Sequence, residues 1–125
     1  MIAADTSTWI AFLEGAPGPD TQLLDHALGD RQILMIPVVL AELLSDPVLP
    51  SGVAETLAEI PMIEVEPGYW QRAGLLRAKV LSTHRKARLG DALIAQTCID
   101  RGIAFLTRDK DFQAFADAAS LNLVP

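Results

Sequence analysis

Apolar residues fall along this chain in two rhythms. Short continuous runs (Ile2-Ala3-Ala4, Ile33-Leu34-Met35-Ile36, Met62-Ile63-Glu64-Val65 and Ile103 to Leu106) read as buried strands. Asn122-Leu123-Val124 adds a candidate closing edge strand. Between them the spacing becomes helical. Ser7 to Glu14 predicts a helix that Gly15 stops, and Asp20 to Leu28 places Leu23, Leu24, Ala27 and Leu28 on one face. Pro37 opens a helix carrying Val38, Val39, Leu40, Leu43 and Leu44, which ends near Asp46-Pro47. Gly52 to Ile60, with Ser51 as its cap, and Tyr69 to about Thr83 predict two more. Asp91 to Arg101 follows with Gly102 as its cap, and Phe112 to Ala119 is last. Strands alternating with helices imply a parallel sheet joined by right-handed crossovers, with helices on both faces. The fold class expected is therefore α/β, a three-layer α/β/α arrangement around a mostly parallel sheet.

Length and composition narrow the setting. The 125 residues, half of them hydrophobic, suit one domain spanning 1–125 with a core that needs no disulfide. No apolar stretch is long enough to span a bilayer, and no basic segment precedes an apolar one at the start, so no signal peptide is expected. Cys98 is the only cysteine, which fits a reducing cytoplasm and excludes an internal disulfide. The net charge of −6 argues against a general nucleic-acid binder, though not against an enzyme whose acidic site takes a cation. Positive charge is concentrated instead: Arg77, Lys79, Arg85, Lys86 and Arg88, with His84, lead up to Asp91.

Four carboxylates carry the candidate chemistry. Asp5 closes the first apolar run and Asp109 the last long one. If both runs are parallel strands of one sheet, the two acids share its carboxyl edge, where open α/β sheets build their sites. Glu42 lies about one turn beyond the end of the second strand, and Asp91 begins the helix before the last. Taken singly, Asp5, Asp91 and Asp109 also read as helix caps or turn residues and Glu42 as a solvent-facing helical position. Together they would repel one another unless a divalent cation lay among them. That makes metal-assisted phosphodiester hydrolysis the first chemistry to consider. His26 and His84 lie outside the acidic segments, and Cys98 reads as a buried small hydrophobe.

The segments bearing these acids carry a family likeness. Ile2-Ala3-Ala4-Asp5-Thr6-Ser7-Thr8-Trp9, Ile36-Pro37-Val38-Val39-Leu40-Ala41-Glu42-Leu43, Gly90-Asp91-Ala92-Leu93-Ile94-Ala95 and Leu106-Thr107-Arg108-Asp109-Lys110-Asp111-Phe112 follow one another in order. In that order the chain resembles PIN-domain ribonucleases, in particular the VapC-type toxins of VapBC toxin–antitoxin pairs. The resemblance implies a PIN fold, a homodimer, and cleavage of RNA that depends on Mg²⁺ or Mn²⁺. It assigns both catalysis and metal binding to Asp5, Glu42, Asp91 and Asp109, with Asp111 able to share the part of Asp109. Ser7 and Thr107 would orient the carboxylates through their hydroxyls. It also implies a cognate VapB-type antitoxin that covers the acidic site, with DNA bound only through that antitoxin and no membrane contact. The linker from Gly15 to Asp20 and the basic stretch around His84 match no fixed motif and would carry substrate choice.

Two other readings keep the fold and change the function. A PIN-like module could bind without catalysing. A phosphoacceptor receiver domain also gathers acids at strand ends, but it needs an acidic pair after the first strand, and Asp5 has no acidic neighbour.

Overall fold

Three short parallel strands form the centre of the computed structural model, which describes the chain from Met1 to Val124. β1 (Ile2–Ala4) lies between β2 (Ile33–Leu34) and β3 (Ala104–Leu106), giving the order β2-β1-β3. Ile2 pairs with Ile33 on one side and Ala104 on the other, and Ala4 faces Leu106. Single parallel bridges extend the sheet at both edges, Met35 to Met62 and Phe105 to Leu123. The expected strands at Met62–Val65 and Asn122–Val124 are thus reduced to one bridge each. At the first, the Pro61 carbonyl accepts the Met35 N–H and Ile63 donates back to Met35, but Pro61 has no N–H with which to lengthen the ladder.

Seven α-helices surround the sheet: α1 (Thr6–Leu13), α2 (Pro19–Gly29), α3 (Pro37–Leu44), α4 (Val53–Ala58), α5 (Tyr69–Leu81), α6 (Leu89–Arg101) and α7 (Gln113–Ala118). The first pair packs together and α2 lies against β2, whereas α5 packs on α6 and α7. This is the three-layer α/β/α order that the alternation predicts. Buried Trp9, Met35, Ile36, Leu24, Ile94, Phe105, Phe112 and Phe115 fill the layers. The Phe105 and Phe112 rings meet edge to face at 4.8 Å between centroids. Cys98 is buried among them, while His26 and His84 are exposed. No helix of the described residues is long and apolar enough to cross a membrane.

The strand order decides where a site can form. The chain leaves β1 toward β2, then returns across β1 to reach β3. The direction of travel therefore reverses between β1 and β3, and the crevice beyond their carboxyl ends is the topological switch point. Asp5 leaves β1 there and Thr107-Arg108-Asp109 leaves β3. Asp5 N donates to the Leu106 carbonyl at 2.8 Å, so the two chain exits lie side by side.

Two boundaries differ from expectation in ways that matter for this edge. α6 starts at Leu89, not Asp91, because Arg88 takes the extended N-cap conformation and Gly90 is accommodated inside the first turn. Asp91 is therefore the third helical residue and does not cap. Gly52, not Ser51, caps α4. The helix carrying Asp91 is anchored on α5. The Tyr69 hydroxyl donates to the Leu93 carbonyl at 2.5 Å, and Arg72 grips Asp100 with bonds of 2.9 and 2.6 Å.

The linker between α1 and α2 is also anchored. Buried Asp20 accepts two bonds from Arg108, each 2.8 Å, and a third from the Thr8 hydroxyl at 2.9 Å. Gly18 makes room: a Cβ there would come within 2.7 Å of the Asp20 carboxylate and 2.9 Å of the Arg108 guanidinium. The Arg108 hydrogen bonds hold the Asp20 carboxyl down at about 2, below its ordinary 3.8. A depressed acid stabilises the fold above its unfolded pKa and loses that contribution as pH falls through the folded one. Asp20→Asn is expected to cost about 1–2 kcal/mol at neutral pH, discounted because Arg108 is partly open to solvent. Thermal melts should show the deficit shrinking as pH falls from about 4 toward 2. A deficit of constant size across that range would count against the pair.

Candidate functional site

A hydrogen-bonded chain runs across the carboxyl ends of the strands. Buried Asp5 caps α1 and accepts the Thr6 N–H at 2.7 Å through Oδ1. Its Oδ2 accepts the Ser7 hydroxyl at 2.7 Å and the Thr107 hydroxyl at 3.0 Å. On one side, the Thr6 hydroxyl donates to Glu42 Oε1 at 2.8 Å and ties α1 to exposed Glu42 on α3. On the other side, Thr107 Oγ1 accepts the Asp109 N–H at 3.0 Å, and Asp109 Oδ1 accepts the Asp111 N–H at 2.9 Å. Asp111 ends the chain against Lys86, Nζ to Oδ2 at 3.1 Å.

These links explain the local folding. Asp5 and Asp109 are capping residues, as Asp often is where a strand gives way to a helical turn. The cap uses one oxygen of each: Asp5 Oδ2 is held instead by two hydroxyls, and Asp109 Oδ2 accepts no hydrogen bond among the described residues. Ser7 and Thr107 do orient a carboxylate, both on Asp5. Thr6 was not singled out from the sequence, although it joins the segments of Asp5 and Glu42. Its partner lies 36 residues away, and only the packing of α3 beside α1 reveals it.

Asp91 approaches from α6 and differs from the rest. It makes no hydrogen bond among the described residues. Burial raises its pKa first, then the negative charges of Asp5 and Asp109 and, more weakly, Glu42, to about 6; the positive charge of Arg88 opposes them. Burial also raises Asp5, but the hydroxyls of Ser7 and Thr107 and the backbone N–H of Thr6 offset part of that rise. The first turn of α6 favours negative charge, so Asp91 sits in a helix field that welcomes an anion and a carboxylate cluster that does not.

The tightest grouping is Asp91, Asp109 and Asp111, whose carboxylate oxygens can all lie within 4.8 Å of one another. Asp5 and Glu42 stand outside that triple. They remain joined to it through Thr107 and Thr6 and through the charge felt at Asp91. Only oxygen donors meet here, the set that hard divalent cations such as Mg²⁺ prefer. A cation among them would offset the burial and the repulsion that together raise Asp91.

Three of the six residues of the basic stretch have side-chain partners among the described residues. Arg85 pairs with Asp117 at 2.7 Å, Lys86 with Asp111, and Arg77 Nε donates to the Ala87 carbonyl at 2.8 Å. His84 is exposed with positive φ, in the turn after α5.

A family model described as the PIN domain matches residues 2–118. Solved structures share the fold along almost the whole chain. VapBC-1 from nontypeable Haemophilus influenzae superposes with a TM-score of 0.76 at 18% identity, covering 99% of this chain and 97% of that one. VapBC2 from Rickettsia felis, bound to a DNA fragment from its promoter, gives 0.72 at 20% identity, covering 99% and 98%. VapBC-5 from Mycobacterium tuberculosis, of the VapBC family of toxin–antitoxin systems, gives 0.70 at 22% identity, covering 98% and 96%. No curated protein matches the sequence.

Proposed function

This chain belongs to the PIN-domain family, and from that premise we propose that it is a VapC-type toxin, a metal-dependent endoribonuclease acting in the cytoplasm as a single domain over residues 1–125. The observation that supports the reading is the grouping of Asp91, Asp109 and Asp111, to which Asp5 is linked through Thr107, with Glu42 linked to the Asp5 segment through Thr6. Membership sets the receiver-domain alternative aside.

Asp5, Glu42, Asp91 and Asp109, with Asp111 beside them, would hold Mg²⁺ or Mn²⁺. When bound, the cation supplies an acidified water as nucleophile and neutralises charge on the phosphodiester. The chain's own residues do the rest. Ser7 and Thr107 hold the rotamer of Asp5 by donating to its Oδ2 and favour its ionised form against the effect of burial. Thr107 also fixes the backbone at Asp109, and Asp109 fixes Asp111, so the donors after β3 are set as a unit. Below about pH 6 Asp91 would give up a proton when a cation is held, because the cation reverses the sign of its surroundings.

Partners follow from surfaces next to the site. A groove of about 400 Å³ lined by Ile10, Leu13, Leu43, Leu49 and Val53 has Glu42 among its walls. An antitoxin segment with an apolar face and a guanidinium fits it, the arginine forming bidentate bonds to the carboxylates. Trp70, Leu75 and Leu81 stand exposed along α5, which supports a homodimer. DNA would be bound only through the antitoxin, in keeping with the net charge of −6.

The test is cleavage of total cellular RNA by the purified, antitoxin-free chain with Mg²⁺, Mn²⁺ or EDTA. Discrete fragments that require the metal are expected, and sequencing their ends identifies the target. Intact RNA in every lane, from protein shown to be folded, would favour the silent binding module.

A further inference from the structure

The segment from Arg85 to Arg88 is tied down residue by residue. Arg85 Nη1 pairs with Asp117 Oδ2 at 2.7 Å, and Lys86 Nζ with Asp111 Oδ2 at 3.1 Å. Ala87 is buried, and its carbonyl accepts from Arg77 Nε at 2.8 Å. The Arg88 carbonyl accepts the Ala92 N–H at 3.1 Å and starts α6. Only the Arg88 side chain is left over. It is exposed and makes no hydrogen bond or ion pair among the described residues. Four consecutive anchors thus hold a backbone whose one uncommitted group is a guanidinium, three residues ahead of Asp91.

We propose that Arg88 is a substrate-binding residue that takes a phosphate of the RNA chain at the rim of the carboxylate cluster. The proposal rests on the nuclease reading above. A polyanion approaching a protein of net charge −6 and a cluster of acids needs a cation at the entrance. A guanidinium matches two phosphate oxygens at once, which an ammonium does not. Arg85, Lys86 and Arg77 each have a donor engaged with a protein oxygen, whereas Arg88 has none among the described residues. Lys110 lies between Asp109 and Asp111 in sequence and lines a dent with Thr107, Arg108, Asp109, Gln113, Leu123 and Val124, which makes it the cation to compare with Arg88. Arg88 is the N-cap of α6, whose first turn carries Asp91.

The measurement is binding of a short fluorescein-labelled single-stranded RNA of mixed sequence. It would be read by anisotropy across a salt series, with Ca²⁺ replacing Mg²⁺ to slow cleavage. Wild type, Arg88→Gln, Arg88→Lys and Lys110→Gln would be compared, each with a matching thermal melt. One lost single-strand phosphate contact lowers the slope of log K against log salt by roughly 0.7, or about fivefold in affinity near 0.1 M salt. Arg88→Gln is expected to show that loss with an unchanged melt. Arg88→Lys should recover most of the slope, and Lys110→Gln should keep all of it. With Mg²⁺ restored, Arg88→Gln should raise KM more than it lowers kcat. Wild-type slope and affinity in Arg88→Gln would overturn the proposal while leaving the nuclease reading intact. Binding that depends on Arg88 without any cleavage by wild type would overturn the nuclease reading and keep the contact. A wild-type chain that neither binds nor cleaves RNA would overturn both.

Discussion

Asp91→Asn is expected to abolish RNA cleavage and, without metal, to make the protein more stable. The activity loss should exceed the roughly 10–100-fold that follows removal of a partner one shell away from a metal, because Asp91 is proposed as a direct ligand. The stability gain follows from the sign of its shift. An acid whose folded pKa lies near 6, above its ordinary 3.8, favours the unfolded state once the pH passes the lower value. The penalty grows between about 4 and 6 and is complete above that. Replacing the carboxylate by an amide of the same shape removes it, for about 1–2 kcal/mol at neutral pH after allowing for solvent at this half-buried position. Melting curves in EDTA should therefore place Asp91→Asn above wild type at pH 7 and level with it near pH 4. A variant that melts lower at pH 7, or that still cleaves, would defeat the assignment.

Asp5→Asn is a contrasting case. Asp5 accepts from Thr6, Ser7 and Thr107, and an amide NH₂ turned toward any of those donors leaves it unpaired in a buried place. Loss of activity without a gain in stability is the outcome there. Two carboxylates that look alike in sequence thus separate by what donates to them.

That separation marks how far the sequence could be read. The four acids could be placed at one edge because short apolar runs identify parallel strands, and strand ends share a side whatever the pairing order. Chain order could not supply the pairing itself. That β1 lies between β2 and β3, and that the switch point falls between Asp5 and Asp109, depends on packing across a hundred residues. Taken singly, Asp91 after Gly90 also reads as a helix cap. In fact the bare backbone of Gly90 fits the first turn of α6 and moves Asp91 inside the helix, where its side chain reaches the cluster without capping anything. In sequence the basic stretch is one cluster of positive charge. Its cations parted company only when Asp117 and Asp111, from beyond β3, came within reach of Arg85 and Lys86. Asp20 gave no sequence sign of its bond to Arg108, since the two lie 88 residues apart.

Metal binding itself is expected to carry the signature of Asp91. If the cation displaces a proton from a group with a pKa of about 6, its apparent affinity falls roughly tenfold for each pH unit below that value and is level above it. Calorimetric titration of Mn²⁺ into the metal-free chain at pH 5 and pH 7.5, each in two buffers of different ionisation enthalpy, reads both quantities. About one proton should leave per ion bound at pH 5, and almost none at pH 7.5. The same titration of Asp91→Asn should bind far more weakly and lose the pH dependence that Asp91 contributes. Saturating metal should also stabilise the wild-type fold, by about 2.7 kcal/mol when free metal reaches a hundred times its dissociation constant. Asp91 thus plays opposite parts in the two forms, a liability to the empty fold and a ligand in the loaded one. Equal affinity at both pH values, with no proton release at pH 5, would mean that the cation does not sit against Asp91, and the site would have to be rebuilt around Asp5 and Glu42.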